Sequence, residues 1–184
     1  MSQDITPQEL RARRPISFPL APMSSLIWLL TVVVLAVPAV LVLAAVWSGQ
    51  RAMLGVAAAV AAVCVAVWLW ARPNRFEVSG NGLVVVWPLW RRLIPRARIT
   101  AVRLVNRRDL RHELGFGLRV GVGGLWGQFG WAWTTRRGWV DTYISRLDGF
   151  VWLDVAGGHP LLITPTAPEA FVRALGPPEA PRSR

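Results

Sequence analysis

Two uninterrupted apolar segments near the start of the chain constrain its fold more than any other feature. Residues 26–47 and 52–71 contain no Asp, Glu, Arg, Lys or His, and only four residues separate them. A helix rises about 1.5 Å per residue, so about 20 residues cross the ~30 Å hydrocarbon core of a bilayer. Because lipid offers no partners for backbone N–H and C=O groups, each segment is expected to be helical. The pattern predicts a transmembrane helical hairpin.

The arginines that flank the hairpin predict its orientation. Three arginines lie within residues 11–14, and Arg72 and Arg75 follow the second segment, whereas the connecting turn carries only Arg51. Basic residues stay preferentially on the cytoplasmic side. The first segment exceeds the apolar region of a signal peptide and a second span follows at once, which favours an uncleaved anchor. We therefore expect a multi-pass protein of the cytoplasmic cell membrane, with residues 1–25 and the C terminus in the cytoplasm.

Beyond the hairpin, residues 72–176 consist of short apolar stretches separated by turn residues. Their β-branched and aromatic content predicts strands at residues 75–78, 83–87, 99–105, 128–134, 140–145, 150–155 and 161–163. An Asn-Gly pair at Asn81 and Gly82 predicts a hairpin turn. The spacing indicates an α+β protein with an antiparallel β-barrel or sandwich of about seven strands.

The remaining parts of the domain have other patterns. Residues 106–115 are polar and predict a loop or an irregular segment. Thr166, Pro168 and Glu169 have the arrangement of a capping box, which predicts the start of a C-terminal helix that caps the sheets. Gly176 and the two prolines after it end that helix, and residues 177–184 are expected to form a disordered tail.

Four pieces of this region, taken in order, resemble a known family. They are residues 76–78 with 82–83, residues 94–99 with 102–104, residues 124–131, and residues 163–165 with 168–171. Together they resemble the bacterial pleckstrin-homology-like (PH) domain proteins that carry two membrane spans before the domain. The resemblance implies a partly open barrel of two near-orthogonal sheets, used for binding or scaffolding without a common catalytic activity. The loop at residues 79–82 lacks basic residues, so phosphoinositide binding is not carried over.

The basic residues provide the candidate binding site. The net charge is +11, and every basic residue is Arg. The candidate lipid- or partner-binding residues are Arg91, Arg92, Arg96, Arg98, Trp87 and Trp90. A second basic group is Arg107, Arg108 and Arg111. Guanidinium groups bind phosphate in bidentate fashion and indole rings prefer the membrane interface, so anionic lipid headgroups or an acidic protein partner are the expected ligands. A solvated cationic rim around core tryptophans is the alternative.

Catalytic and cofactor chemistry finds little support. His112 and His159 are far apart and have no Cys or acidic partner at metal-ligand spacing. The single Cys64 lies inside the second apolar segment and excludes an internal disulfide. The glycine-rich residues 115–130 lack the G-x-x-x-x-G-K-[ST] pattern of a phosphate loop. We expect no enzyme activity, no metal and no cofactor, and beside a membrane hairpin we expect no nucleic acid.

These observations predict a non-enzymatic integral membrane protein that presents a cytoplasmic PH-like domain at the inner leaflet. The alternative is an accessory subunit of a larger membrane complex that assembles through the hairpin. The small residues Gly55, Ala59 and Ala62 motivate this alternative, because small side chains let helices approach closely.

Overall fold

Two long apolar helices precede two β-sheets in the computed structural model, which describes residues 15–115, 117–123 and 126–176. Helix α1 is Ser25–Ser48, and helix α2 is Ala52–Ala66, which continues as a π-helical turn, Val67–Ala71. Both helices are long and apolar enough to cross a membrane, and only 11% of each apolar window is buried within the protein. Gly49, with a φ of 70°, ends α1 in the left-handed conformation that glycine adopts at low cost.

The first sheet is antiparallel and has the order β1–β2–β3–β4. Its strands are β1 (Ile16–Pro19), β2 (Arg75–Ser79), β3 (Gly82–Val86) and β4 (Arg91–Pro95). Strand β1 comes before the hairpin and β2 comes after it, and the two pair with Phe18 opposite Phe76. The chain on both sides of the hairpin therefore belongs to one sheet.

The second sheet has the order β5–β9–β10–β8–β7–β6. Its strands are β5 (Ile99–Val105), β6 (Gly117–Gly123), β7 (Gln128–Thr134), β8 (Gly138–Ile144), β9 (Phe150–Val155) and β10 (Leu161–Ile163). All neighbours are antiparallel except β8 and β10, which run parallel. Helix α3 (Arg107–Leu114) follows β5, and helix α4 (Pro168–Leu175) ends the described chain.

The hydrophobic core lies between the sheets and is closed by α4. Phe171 of α4 is fully buried and packs edge-on against Phe18 at 5.2 Å and against Phe76 at 6.2 Å. A smaller cluster lies on the other face of the second sheet, where Leu110 of α3 packs near Trp152 and Leu162. Burial of such large apolar side chains is the main term that favours folding.

The predicted α+β class, with two apolar helices before a sheet-rich region, is confirmed. The described strands do not close into a barrel. They form a four-stranded sheet and a six-stranded sheet, and the six-stranded sheet contains one parallel pair. The prediction of about seven antiparallel strands missed β1, which follows Pro15 and contains Pro19. It also missed β4 and the glycine-rich β6.

Two local predictions were wrong for identifiable reasons. The polar segment 106–115 contains α3, whose Leu110 and Leu114 lie four residues apart and face the second sheet. Thr166 does not cap α4; its Oγ1 donates to the Pro19 carbonyl at 2.9 Å, and Ala167 occupies the N-cap position. A tertiary partner from β1 thus displaced the local capping bond. The predicted disordered tail, 177–184, lies outside the described residues.

The sheets have two ends that matter for function. We call the end next to α1 and α2 the hairpin end; it includes Arg75, Val86 and Arg91, which lie opposite one another on β2, β3 and β4. In the second sheet the same end includes Ser145, whose carbonyl accepts a bond from the Ser24 N–H at 3.2 Å. We call the opposite end, with the β2–β3 and β7–β8 turns, the far end.

Candidate functional site

Trp126, just before β7, joins the domain to both apolar helices. Its N–H donates to Thr31 Oγ1 of α1 at 2.8 Å, and its ring packs edge-on against Trp68 of the π-helical turn at 5.0 Å. Trp126 is 7% exposed and has a φ of 56°, which is uncommon for a bulky residue. The surrounding contacts hold it in this conformation. The domain therefore reaches several residues up along α1 rather than touching only its start.

A second joint involves two tryptophans of the predicted binding site. The indole N–H of Trp87 donates to the Ala71 carbonyl at 3.1 Å, and that of Trp90 donates to the Trp70 carbonyl at 3.2 Å. The two rings stack, with centroids 3.7 Å apart. Carbonyls in the last turn of a helix lack helical partners, so these indoles satisfy the end of α2. Trp87 is buried, whereas Trp90 stays 41% exposed.

The chain before α1 is fastened to the second sheet. Ser145 Oγ donates to the Ala21 carbonyl at 2.6 Å, and the Ser145 N–H donates to Thr164 Oγ1 at 2.9 Å. All three residues are buried. Together with the β1–β2 pairing, this network holds the hairpin and the domain in contact on both sides of the hairpin.

The four arginines of the predicted site divide between the two ends. Arg91 and Arg92 begin β4 at the hairpin end, whereas Arg96 and Arg98 lie in the short turn after β4 at the far end. Arg96 Nη2 donates to the Gly176 carbonyl at 3.3 Å. Arg98 donates from Nε and Nη2 to carbonyls of the β9–β10 turn at 3.1 and 2.9 Å. The structure therefore does not bring the predicted cluster together.

Arg92 connects the two sheets. Its Nη1 lies 2.5 Å from Oδ2 of Asp141 on β8, a carboxylate whose side chain is 1% exposed. His159 Nδ1 approaches the other oxygen of Asp141 at 3.5 Å. Burial raises the pKa of the neighbouring Tyr143 to about 12, and the Asp141 charge adds to this effect. Arg92 thus compensates a buried charge, which is a structural role.

Three arginines at the hairpin end are available for a ligand. Arg91, Arg107 and Arg108 are exposed, and none makes a hydrogen bond or an ion pair with another described residue. Arg107 and Arg108 begin α3, directly after the end of β5. Exposed apolar side chains lie at the same end, namely Leu89 at 56% and Leu147 at 36% exposure. Free guanidinium groups beside apolar side chains suit an interface between lipid headgroups and hydrocarbon.

No group of three or more His, Cys, Asp or Glu side chains that could hold a metal ion occurs in the part of the chain that the structure describes. Cys64 is buried in α2 and contributes to the hydrophobic cluster between the hairpin and the domain. The pair of His159 and Asp141 supplies only two potential ligands, and Arg92 already occupies the carboxylate.

Sequence reasoning missed Trp126, Thr31 and Ser145 as joint residues. Thr31 and Trp126 are 95 residues apart in the chain, and a single Thr within an apolar helix gives no periodic signal. The free pair Arg107 and Arg108 was recognised as a basic group, but its place at the hairpin end depends on the β5–β9 pairing.

Comparison of the chain with protein-family models, with curated proteins and with solved structures gives no match.

Proposed function

We propose that this protein is a non-enzymatic integral membrane protein whose PH-like domain is seated against the cytoplasmic leaflet and contacts anionic lipid. The hairpin crosses the bilayer, and the hairpin end of the domain lies at the level of the headgroups. Arg91, Arg107 and Arg108 are the lipid-contacting residues, with Trp90 at the interface beside them.

The contact between Trp126 and Thr31 carries this proposal. Ser48, the end of α1, lies 17 positions after Thr31, which is a rise of about 26 Å at 1.5 Å per residue. The hydrocarbon core is about 30 Å thick. A helix that crosses this core therefore places Thr31, and the Trp126 backbone bonded to it, at or within the hydrocarbon boundary. The domain has no room to stand away from the leaflet.

The charge distribution supports a contact with anionic lipid. At headgroup level each basic residue contributes about 1 kcal/mol of attraction to an anionic surface. The hairpin end offers exposed arginines without described protein partners, whereas Arg96, Arg98 and Arg136 at the far end donate to backbone carbonyls. The hairpin end also carries the exposed apolar side chains of Leu89 and Leu147, which suit the interface.

The β1–β2 pairing and the flanking charges support the proposed orientation. Because β1 pairs with β2, the chain before and after the hairpin lies on one side of the membrane. Arginines are more numerous on these flanks than in the turn, where only Arg51 occurs, so the domain side is cytoplasmic.

Lipid selectivity of the full chain tests the lipid contact. The protein is reconstituted into nanodiscs that contain phosphatidylglycerol and phosphatidylcholine, and the association of spin-labelled forms of each lipid is measured. Wild-type protein should prefer phosphatidylglycerol, and Arg→Gln at 91, 107 and 108 together should reduce this preference about fivefold or more. The matched control is Arg→Gln at 96, 98 and 173, which removes the same charge near the far end, leaves the contact between Arg136 and α3 intact and should preserve the preference. Equal losses in both triple variants would contradict the proposal.

Cysteine labelling in intact cells tests the orientation. In a Cys64→Ala background, Gln50→Cys places a thiol in the hairpin turn and Ser79→Cys places one at the far end of the domain. A membrane-impermeant maleimide added outside should label only the turn. Labelling of Ser79→Cys with the turn protected would reverse the assigned orientation.

One observation favours a second candidate function, assembly of an accessory subunit through the hairpin. The small residues of α2 do not pack within the described protein: a Cβ added at Gly55 meets no atom within 4 Å, and Ala59 and Ala62 are exposed. Buried Ala45 and Ala57 lie between the helices instead. The outward small-residue face suits another membrane helix. Crosslinking after gentle detergent extraction distinguishes this candidate, since a lone monomer would count against it.

A further inference from the structure

A groove of about 230 Å³ lies between α3 and the outer face of the second sheet. Its walls include Leu110, Val140, Ile144, Phe150 and Leu162. Two threonines also line it, but both hydroxyl groups are satisfied by backbone carbonyls: Thr134 donates to Gly138 at 3.0 Å and Thr142 donates to Gly130 at 3.1 Å. The groove therefore presents a mainly apolar surface, although α3 covers it.

At the far end of the groove, side-chain contacts hold the end of α3 against the second sheet. The guanidinium group of Arg136, in the β7–β8 turn, donates to the carbonyl of His112 near the end of α3. Glu113 forms a two-point ion pair with Arg103 of β5, with the second contact at 2.6 Å. Gly115 lies so close to this turn that an added Cβ would be 2.5 Å from Thr135 Oγ1. The end of α3 is thus tied to the strands on both sides.

The other end of the groove, which we call its mouth, lies at the hairpin end. Arg107, at the start of α3, lines the groove there and makes no hydrogen bond or ion pair with another described residue. Gln128, Leu147 and Phe150 line the same end, and Gln128 is two residues from Trp126. The mouth therefore lies near the contact between Trp126 and Thr31, which the proposed function places at the hydrocarbon boundary.

We propose that this groove holds part of one acyl chain of an anionic phospholipid from the adjacent leaflet, with the phosphate at Arg107. This inference rests on the proposed function, because the mouth must face the leaflet. The groove volume of about 230 Å³ suits part of one acyl chain rather than a whole lipid. Apolar walls suit the chain, and the free guanidinium group matches the phosphate in charge and in geometry.

Photo-crosslinking of the full chain in nanodiscs tests the inference. The probe is phosphatidylglycerol with a diazirine in the part of one acyl chain nearest the headgroup, and crosslinked tryptic peptides are mapped by mass spectrometry. Crosslinks are expected in α1 and α2 and also in peptide 138–146, which contains β8. Crosslinks in the hairpin without any in peptide 138–146 would overturn the inference that an acyl chain occupies the groove, but they would remain consistent with the proposed function. Absence of both would overturn both.

Two variants test the groove wall and the mouth of the groove separately. Ala132→Phe places a large side chain on the groove wall and should abolish the crosslinks in 138–146 while hairpin crosslinks remain. Persistence of the groove crosslinks in a folded variant would overturn the inference.

Arg107→Gln should lower the yield of groove crosslinks about fivefold, which is the effect of one basic residue at an anionic surface. Arg98→Gln removes the same charge at the far end and is the matched control. Equal yields with a phosphatidylcholine probe would overturn the assignment to anionic lipid.

Discussion

The hairpin end and the far end of the domain both carry arginines, but the two sets have different partners. At the far end, Arg96, Arg98 and Arg136 donate to carbonyls of turns and helix ends. At the hairpin end, Arg75 and Arg92 pair with Glu77 and Asp141, whereas the side chains of Arg91 and Arg107 are exposed and bond to no described residue. A guanidinium group has five donors, so turns with outward carbonyls readily engage it. The comparison shows that arginine density alone does not locate a ligand site.

The tryptophans differ in the same way. At the hairpin end, Trp126, Trp87 and Trp90 satisfy backbone groups or pack on the apolar helices. Trp131 and Trp133 on β7 are 56% and 41% exposed and belong to no such joint. We therefore expect the contacts of Trp126, Trp87 and Trp90 with the apolar helices to contribute to stability, and the exposed rings of β7 to contribute little.

The largest effect is expected from Trp126→Ala. The substitution removes the ring that packs on Trp68 and should lower the free energy of unfolding by about 3–5 kcal/mol. Denaturant unfolding in detergent measures it, and hydrogen exchange should show increased exchange around Thr31. The control Trp131→Ala changes an exposed ring and should stay within about 0.5 kcal/mol. Similar losses of stability in the two variants would contradict a stabilising role for the contact between Trp126 and Trp68.

A smaller loss is expected from Asp141→Asn, which breaks the bond between the sheets. Removing one partner of a buried ion pair costs about 3–5 kcal/mol, but Arg92 is 40% exposed and its charge becomes partly solvated, so we expect about 2 kcal/mol. Thermal or denaturant unfolding measures the change. Asp148→Asn, at a carboxylate with 81% side-chain exposure, is the control and should be nearly neutral. An Asp141→Asn variant as stable as this control would show that the pair does not hold the sheets.

The smallest effect is expected from Glu113→Gln, at the fastened end of α3. The hydrogen bond from Arg103 holds the pKa of Glu113 below its ordinary value of 4.5. A lowered pKa in the folded state means that this stabilisation is present above about pH 4.5 and is lost as the pH falls further. Because the Arg103 side chain is 37% exposed and solvent screens the pair, we expect at most about 1 kcal/mol at pH 7.

Acid titration of unfolding measures this effect. Glu113→Gln should lose stability at pH 7 and should show a weaker decline below pH 4.5 than wild type. Glu169→Gln, in the first turn of α4, is the charge-matched control, since no described ion pair involves Glu169. Unchanged acid dependence in Glu113→Gln would show that α3 is held by other contacts.

Local patterns predicted much of the fold. Strands β5, β7, β9 and β10 lie at their predicted positions, because period-two alternation and flanking turn residues are short-range signals. Helix α3 was not predicted, although the spacing of Leu110 and Leu114 was visible, because its other residues are polar. The pairing of β1 with β2 across the hairpin depends on residues about 60 positions apart and has no local signature.

The candidate site was only partly predictable for the same reason. The basic residues and tryptophans were identifiable, but strand register decides that Arg91 lies at the hairpin end and Arg98 at the far end. The burial of Asp141 next to Arg92 likewise depends on two different sheets.

The amino-acid sequence by itself determined two apolar helices, a sheet-rich region after them and a strongly basic chain. These features arise from residue composition and from short periodicities, which act over a few positions. Only the tertiary structure decided which arginines are engaged, where Trp126 lies on the helices and how α3 leaves a groove beside the hairpin. Those features require contacts between residues that are distant in the chain, because the loss of chain entropy on forming them is compensated only when the whole fold assembles.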